Sequence, residues 1–204
     1  MRIGVDIDGV LNRRMRFLLD CGSEFCAKSG KGGIQNLRSP HVSEIFGWDK
    51  QTRDEFWYEY GALQMFVWPA QNYAAEVIRK LRQEGHEIWI ITGRNNEDSR
   101  VKGMLEGATW EDTTKDWLAE NKIEYDQIHF GLNGIKRSKG PFCRENGIDV
   151  MIEDLPEYLE GFVGKTRVLI FDQPYNREVE VPNSERVYAW YDIYSKIRKM
   201  KVDK

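Results

Sequence analysis

The chain has 204 residues, enough for one full-sized core and a small appended module. A hydrophobic share of 41% and an aromatic share of 12% exclude a disordered polypeptide, and a net charge of −3 gives no general basis for binding a nucleic-acid polymer. No apolar run approaches the ~18 residues that span a bilayer, so no membrane association is expected. The opening Arg2-Ile3-Gly4-Val5-Asp6 lacks the charged-then-apolar pattern of a signal peptide, and a cytoplasmic location is the expectation. Cys21, Cys26 and Cys143 form no CxxC pair, which argues against a disulfide framework and a structural zinc site. The histidines stand singly, without metal-ligand spacing.

In chain order, the first predicted strand is Ile3–Asp8, apolar until two aspartates interrupt it. Two helical patterns follow, roughly Arg14–Ser29 and Ser43–Gly61, joined by a glycine-rich turn at Gly30–Gly33. An insertion of this length inside an α/β domain is usually functional, and residues 13–68 are read as a small helical cap. Residues 1–12 and 69–204 then form the core domain. Helical spacing of Ala74, Val77, Ile78 and Leu81 predicts a helix over Pro69–Glu84, stopped by Gly85. A strand at Glu87–Thr92 comes next, and the polar stretch Asn95–Trp110 receives no assignment. A helix near Thr113–Asn121, a strand at Tyr125–Gly131 and a short helix ending at Asn146-Gly147 continue the alternation. Strands at Asp149–Glu153 and Arg167–Asp172 precede a last amphipathic helix over Ser184–Met200, whose solvated end accounts for the basic run Lys196–Lys201. This alternation predicts an α/β fold, a Rossmann-like parallel sheet covered by helices, with the cap inserted after the first strand.

Four chemistry-bearing features fall at the C-terminal ends of predicted strands, where parallel sheets bind ligands. Asp6-Ile7-Asp8-Gly9-Val10 closes the first. Two carboxylates beside a sheet core are expensive without compensation; they are either turn-formers or a site whose metal ion keeps both ionised. Thr92-Gly93-Arg94 offers a hydroxyl and a glycine amide for phosphate oxygens, or an ordinary strand exit. Lys139 can neutralise phosphate charge, with Lys136 and Arg137 as competitors. Glu153-Asp154-Leu155-Pro156 adds two acids suited to a hard cation, or a helix cap ahead of the proline.

DIDGV, IITGR, a lysine and IEDLP, in this order, resemble the haloacid dehalogenase superfamily across Asp6 to Pro156. Within it, the IGVDIDGVL opening and the cap after motif one are most similar to the cytosolic deoxyribonucleotidases and their bacterial relatives. The resemblance implies a Mg²⁺-dependent phosphomonoesterase that acts through an aspartyl-phosphate on Asp6. Asp8 would serve as general acid and base, and its presence sets the chain apart from the dehalogenases. Gly9, Thr92, Gly93 and Lys139 would bind phosphate. Mg²⁺ would be held by Asp6, the Asp8 carbonyl and Asp154, with Glu153 in support; motif four reads Glu-Asp where many relatives have Asp-Asp, so either acid can be the ligand. The expected partner is a small phosphate ester, a deoxynucleoside monophosphate or alternatively a sugar phosphate. A non-catalytic binding protein on the same fold is the remaining alternative. The aromatics Phe17, Phe46, Trp48, Phe56, Trp57, Tyr58, Tyr60, Phe66 and Trp68 are expected mostly to pack the cap, with a few free to stack on a base.

Overall fold

A computed structural model describes residues 1–61, 63, 68–96, 108–134, 137–159, 161, 162 and 164–202. Its centre is a sheet of six parallel strands in the order β3-β2-β1-β6-β7-β8. The strands are β1 (Arg2–Val5), β2 (Glu87–Ile91), β3 (Gln127–His129), β6 (Val150–Glu153), β7 (Arg167–Phe171) and β8 (Ser184–Val187). A two-stranded antiparallel ribbon, β4 (Asn133–Gly134) and β5 (Arg137–Ser138), stands apart. Buried on both faces, β1, β2, β6 and β7 are near-continuous apolar runs, which is why they are conspicuous in the sequence.

Alternate strand residues feed two cores. Ile3, Val5, Ile88, Ile90, Ile152 and Leu169 pack with Val77 and Leu81 of α4 (Ala74–Gln83), Leu118 of α5 (Trp110–Glu120) and Ile193 of α8 (Trp190–Val202). Ile91, Met151, Val168 and Ile170 pack with Cys143 of α6 (Lys139–Glu145) and Leu159 of α7 (Pro156–Leu159). Between β1 and α4 lie α1 (Arg14–Ser29), α2 (Val42–Phe46) and α3 (Lys50–Tyr60). They enclose a third cluster in which Phe56 meets Trp48, Trp57 and Tyr60 at ring-centroid distances of 5.1, 5.0 and 5.2 Å. Among the described residues no helix is long and apolar enough to cross a membrane.

Three expectations are corrected. Ser184–Val187 is a parallel edge strand on β7, entered through Asn183 at φ 58°, and the last helix begins at Trp190. The helix expected over Ser43–Gly61 is two, broken by Gly47 in left-handed backbone and restarted by Asp49, whose side chain accepts from the Thr52 amide. The helix after the insertion begins at Ala74 rather than Pro69, because Asn12 and Ala70 form a β-bridge and Tyr73 turns left-handed at φ 66°.

Candidate active site

Because β1 lies between β2 and β6, the residues leaving these three strands converge. Asp6, Glu153 and Asp154 are all buried, and each presents a carboxylate oxygen within 4.8 Å of the others. Lys139, the first residue of α6, is 1% exposed; its Nζ donates to Asp6 Oδ1 and Glu153 Oε2, both at 2.6 Å. The ammonium also sits 4.4 Å from the centre of the Tyr158 ring. Gly140 lets α6 approach so closely: a Cβ there would stand 2.0 Å from the Gly161 carbonyl oxygen.

Among the described residues, Lys139 thus ion-pairs two of the three buried acids. Burial, then the charges of Glu153 and Asp8, raise the Asp6 carboxyl to about 7 against the pull of Lys139. Burial, Glu153 and Asp6 raise Asp154 well above the usual range. Lys139 is raised too: burial opposes its charge, but Asp6 and Glu153 prevail.

The two acids of motif four are used differently. Glu153 is fully engaged, with Oε2 accepting from Lys139 and Oε1 accepting from the Asp154 and Leu155 amides at 3.0 Å each. Asp154 accepts the Tyr175 hydroxyl on Oδ2, while its Oδ1 is buried with no hydrogen-bond partner among the described residues. Gly9 (φ +90°) makes room: a Cβ would fall 2.0 Å from Asp154 Oδ2. The Gly9 amide donates to Asn12 Oδ1 at 2.9 Å, and its carbonyl accepts from Gln173 Nε2 at 2.8 Å.

Asp8 faces a different environment. Arg94 forks onto it, Nε to Oδ2 at 2.8 Å and Nη2 to Oδ1 at 2.6 Å, and Asn12 Nδ2 adds a bond at 2.9 Å. Burial would raise this carboxyl, but Arg94, by charge and hydrogen bonds, holds it down at about 2. Thr92 is buried beside it, its Oγ1 accepting from the Arg94 amide at 3.2 Å.

Asp6, Asp8, Thr92, Gly93 and Asp154 open into one cleft of about 200 Å³, walled further by Trp68, Arg94, Trp110 and Tyr158 and by Arg14 and His41 from the α1–α3 segment. The Trp68 and Trp110 indole N–H groups are buried without partners among the described residues. A larger concavity of about 900 Å³ on α3 is lined by Phe25, Gln51 and Tyr58 with the charged Lys50, Asp54, Glu55 and Glu59 and holds none of the motif residues, so size alone does not locate the chemistry.

The structure therefore brings Asp6, Asp8, Gly9, Thr92, Gly93, Lys139, Glu153 and Asp154 together. Lys136 lies outside the described residues, as do Phe66 and much of the Asn95–Trp110 stretch. Of the described aromatics expected to form a cap, only Trp68 lines the cleft; Phe17, Phe46, Trp48, Phe56, Trp57 and Tyr60 are core, and Tyr58 is exposed. Sequence reasoning assigned no role to Arg94, Asn12, Arg14 or Trp110, and the loop holding Tyr175 and Asn176 lies outside the four motifs it singled out. Asn176 Nδ2 donates to the carbonyls of Asp154 (2.7 Å) and Phe171 (2.9 Å), so that loop braces motif four from behind.

The sequence model of the family described as "5′ nucleotidase, deoxy (Pyrimidine), cytosolic type C protein" matches residues 1–202. A Bacillus cereus protein named "Putative nucleotidase" is 25% identical over 209 residues, covering 98% of this chain and 99% of that one. Among solved structures, a haloacid dehalogenase-like family hydrolase from Xanthomonas campestris superposes with a TM-score of 0.61 at 11% identity, over 100% of this chain and 96% of that one. A HAD-superfamily hydrolase of subfamily IA from Geobacter sulfurreducens gives 0.54 at 11%, over 96% and 95%. These two likenesses concern the fold.

Proposed function

We propose, for a chain that belongs to the cytosolic type C family of deoxy (pyrimidine) 5′ nucleotidases, that phosphate is removed through a covalent intermediate on Asp6. That it is a phosphatase hydrolysing phosphomonoesters follows from the family; the chemistry, metal and substrate below are our reading.

The observation that carries it is the surplus of buried carboxylate around Lys139, with Asp154 Oδ1 lacking a partner among the described residues. Three acids and one lysine leave an excess of negative charge that a hard divalent cation neutralises, and an all-oxygen donor set suits Mg²⁺. Asp6 and Asp154, with the Asp8 carbonyl, would hold it. Glu153 is the poorer ligand because its oxygens are spent on Lys139 and two amides. When bound, Mg²⁺ supplies charge neutralisation between an anionic nucleophile and an anionic phosphate.

An Asp6 carboxylate oxygen then attacks phosphorus, and the bond to the leaving oxygen breaks as that oxygen takes a proton from Asp8. The approaching phosphate dianion favours the protonated Asp8 against the pull of Arg94. A water next attacks the acyl-phosphate, giving its proton to Asp8 and regenerating Asp6. Thr92, the Gly93 amide and Lys139 hold the transferring oxygens, while Gly9, whose amide donates to Asn12, contributes the close turn beside Asp154. Residues 13–68 act as the cap, and Trp68, Arg14 and His41 confront the leaving group, which we take to be a deoxynucleoside. The same reading places the enzyme in the cytoplasm.

The test is phosphate release from deoxynucleotides, ribonucleotides and sugar phosphates, with Mg²⁺ and with chelator, for the native protein and Asp6→Asn. Release should concentrate on deoxynucleoside monophosphates, require Mg²⁺ and vanish in Asp6→Asn while the fold persists. Substantial turnover by Asp6→Asn removes Asp6 as nucleophile, and release confined to sugar phosphates removes the nucleotide reading.

A further inference from the structure

We infer that Arg94 is a positioning residue for the proton-transfer step, fixing the plane of the Asp8 carboxylate toward the leaving oxygen. This rests on the reading of Asp8 as general acid and base.

The geometry is that of a built clamp. Two guanidinium nitrogens meet the two Asp8 oxygens at 2.8 and 2.6 Å, a fork-to-fork pairing that fixes the plane of the carboxylate as well as its distance. Arg94 is 6% exposed, and its third nitrogen, Nη1, donates to Thr114 Oγ1 at 3.1 Å. Thr114 is held in turn, since its hydroxyl donates to the Trp110 carbonyl at 2.7 Å. Indole rings flank the guanidinium, with its carbon 4.9 Å from the Trp110 ring centre and 5.8 Å from that of Trp68. All three guanidinium nitrogens are therefore engaged, and the restraint passes from α5 to Asp8.

Lysine cannot reproduce this. It offers a point charge on a flexible stem where arginine offers a planar pair of donors. A residue serving only as a cation would tolerate Arg94→Lys; one that orients a carboxylate would not. A role on the transferring phosphate would raise KM on every substrate. Positioning of a proton donor instead matters most when the leaving oxygen is a poor one.

The experiment compares kcat/KM for a deoxynucleoside monophosphate, whose alkoxide leaves poorly, and for p-nitrophenyl phosphate, whose phenolate leaves without a proton. Both are measured with Mg²⁺ for the native protein, Arg94→Lys, Arg94→Ala, Thr114→Val and Asp6→Asn. Loss of oriented proton transfer is worth about 100-fold or more. Both arginine variants should lose that much on the nucleotide and under about tenfold on the aryl ester, with KM little changed. Thr114→Val, which keeps the arginine, should show the same bias at smaller size. Guanidinium ion added to Arg94→Ala should restore nucleotide turnover, a readout that needs no second substrate.

Equal losses on the two esters, a rise confined to KM, full activity in Arg94→Lys, or no guanidinium rescue in a folded Arg94→Ala would each overturn the inference. Activity in Asp6→Asn would instead overturn the underlying mechanism, so the two failures are distinguishable.

Discussion

Gly9→Ala isolates the tightest contact of the site. Gly9 has φ +90°, and an added Cβ would stand 2.0 Å from Asp154 Oδ2, 2.7 Å from its Cγ and 3.0 Å from the Tyr175 hydroxyl oxygen. Reaching even the 3.0 Å that real Cβ atoms keep requires the carboxylate to retreat by about 1 Å. Retreat is opposed by Tyr175, which donates to that oxygen, and by Asn176, which grips the Asp154 carbonyl. The control is Gly30→Ala at the end of α1, with φ +70° and nothing within 4 Å of its Cβ. Both variants carry left-handed backbone strain of about 1–3 kcal/mol, readable as a shift in urea midpoint. Only Gly9→Ala should weaken Mg²⁺ binding, by at least about tenfold or roughly 1.4 kcal/mol in calorimetric titration. Native-like Mg²⁺ affinity in Gly9→Ala, or an equal loss in Gly30→Ala, would refute the assignment of Asp154 as ligand.

Three further outcomes are expected. In chelator, stability should fall as pH rises from about 4 to 7, because the folded state holds the Asp6 proton that the unfolded chain releases near 3.8; the effect is at most about 4 kcal/mol, and urea midpoints of Asp6→Asn should show a smaller slope. Lys139→Ala should lower kcat at least about 100-fold and destabilise the chelated protein by about 3–5 kcal/mol, as Asp6 and Glu153 lose their shared cation; if Lys136→Ala is the damaging change instead, Lys139 is not the motif lysine. Phe56→Ala empties the centre of the α1–α3 cluster and should cost about 3–5 kcal/mol in denaturant unfolding and raise KM for the nucleotide, while Mg²⁺ affinity in the folded protein stays put; a parallel loss of metal binding would contradict the independence of the two cores.

The sheet was legible because strands buried on both faces leave runs such as Glu87–Ile91, and the motif acids were legible because they interrupt those runs. Edge strand Ser184–Val187 escaped notice because it is half exposed and its polar alternation merges with the helix after it. The Arg94–Asp8 fork and the Tyr175–Asp154 bond lie beyond sequence reasoning for another reason: each joins residues far apart in the chain, and no local pattern marks them. The two acids of motif four, alike in the sequence, differ in their partners: Glu153 spends its oxygens on Lys139 and two amides, whereas Asp154 accepts from Tyr175.

The strand order also governs how this molecule is made. Ile3 pairs with Ile88 on one side and with Val150 on the other, so β1 emerges from the ribosome long before either neighbour exists. Until then Ile3, Val5 and Ile7 form an apolar segment with two open edges, the kind of intermediate that seeks pairing with other chains. The helices of α1–α3 make mainly local contacts and can condense during that wait, while the sheet must close loops of high contact order. The site, whose acids come from both ends of that closure, cannot form before it. A cation that binds only the closed form would pull synthesis toward completion by mass action.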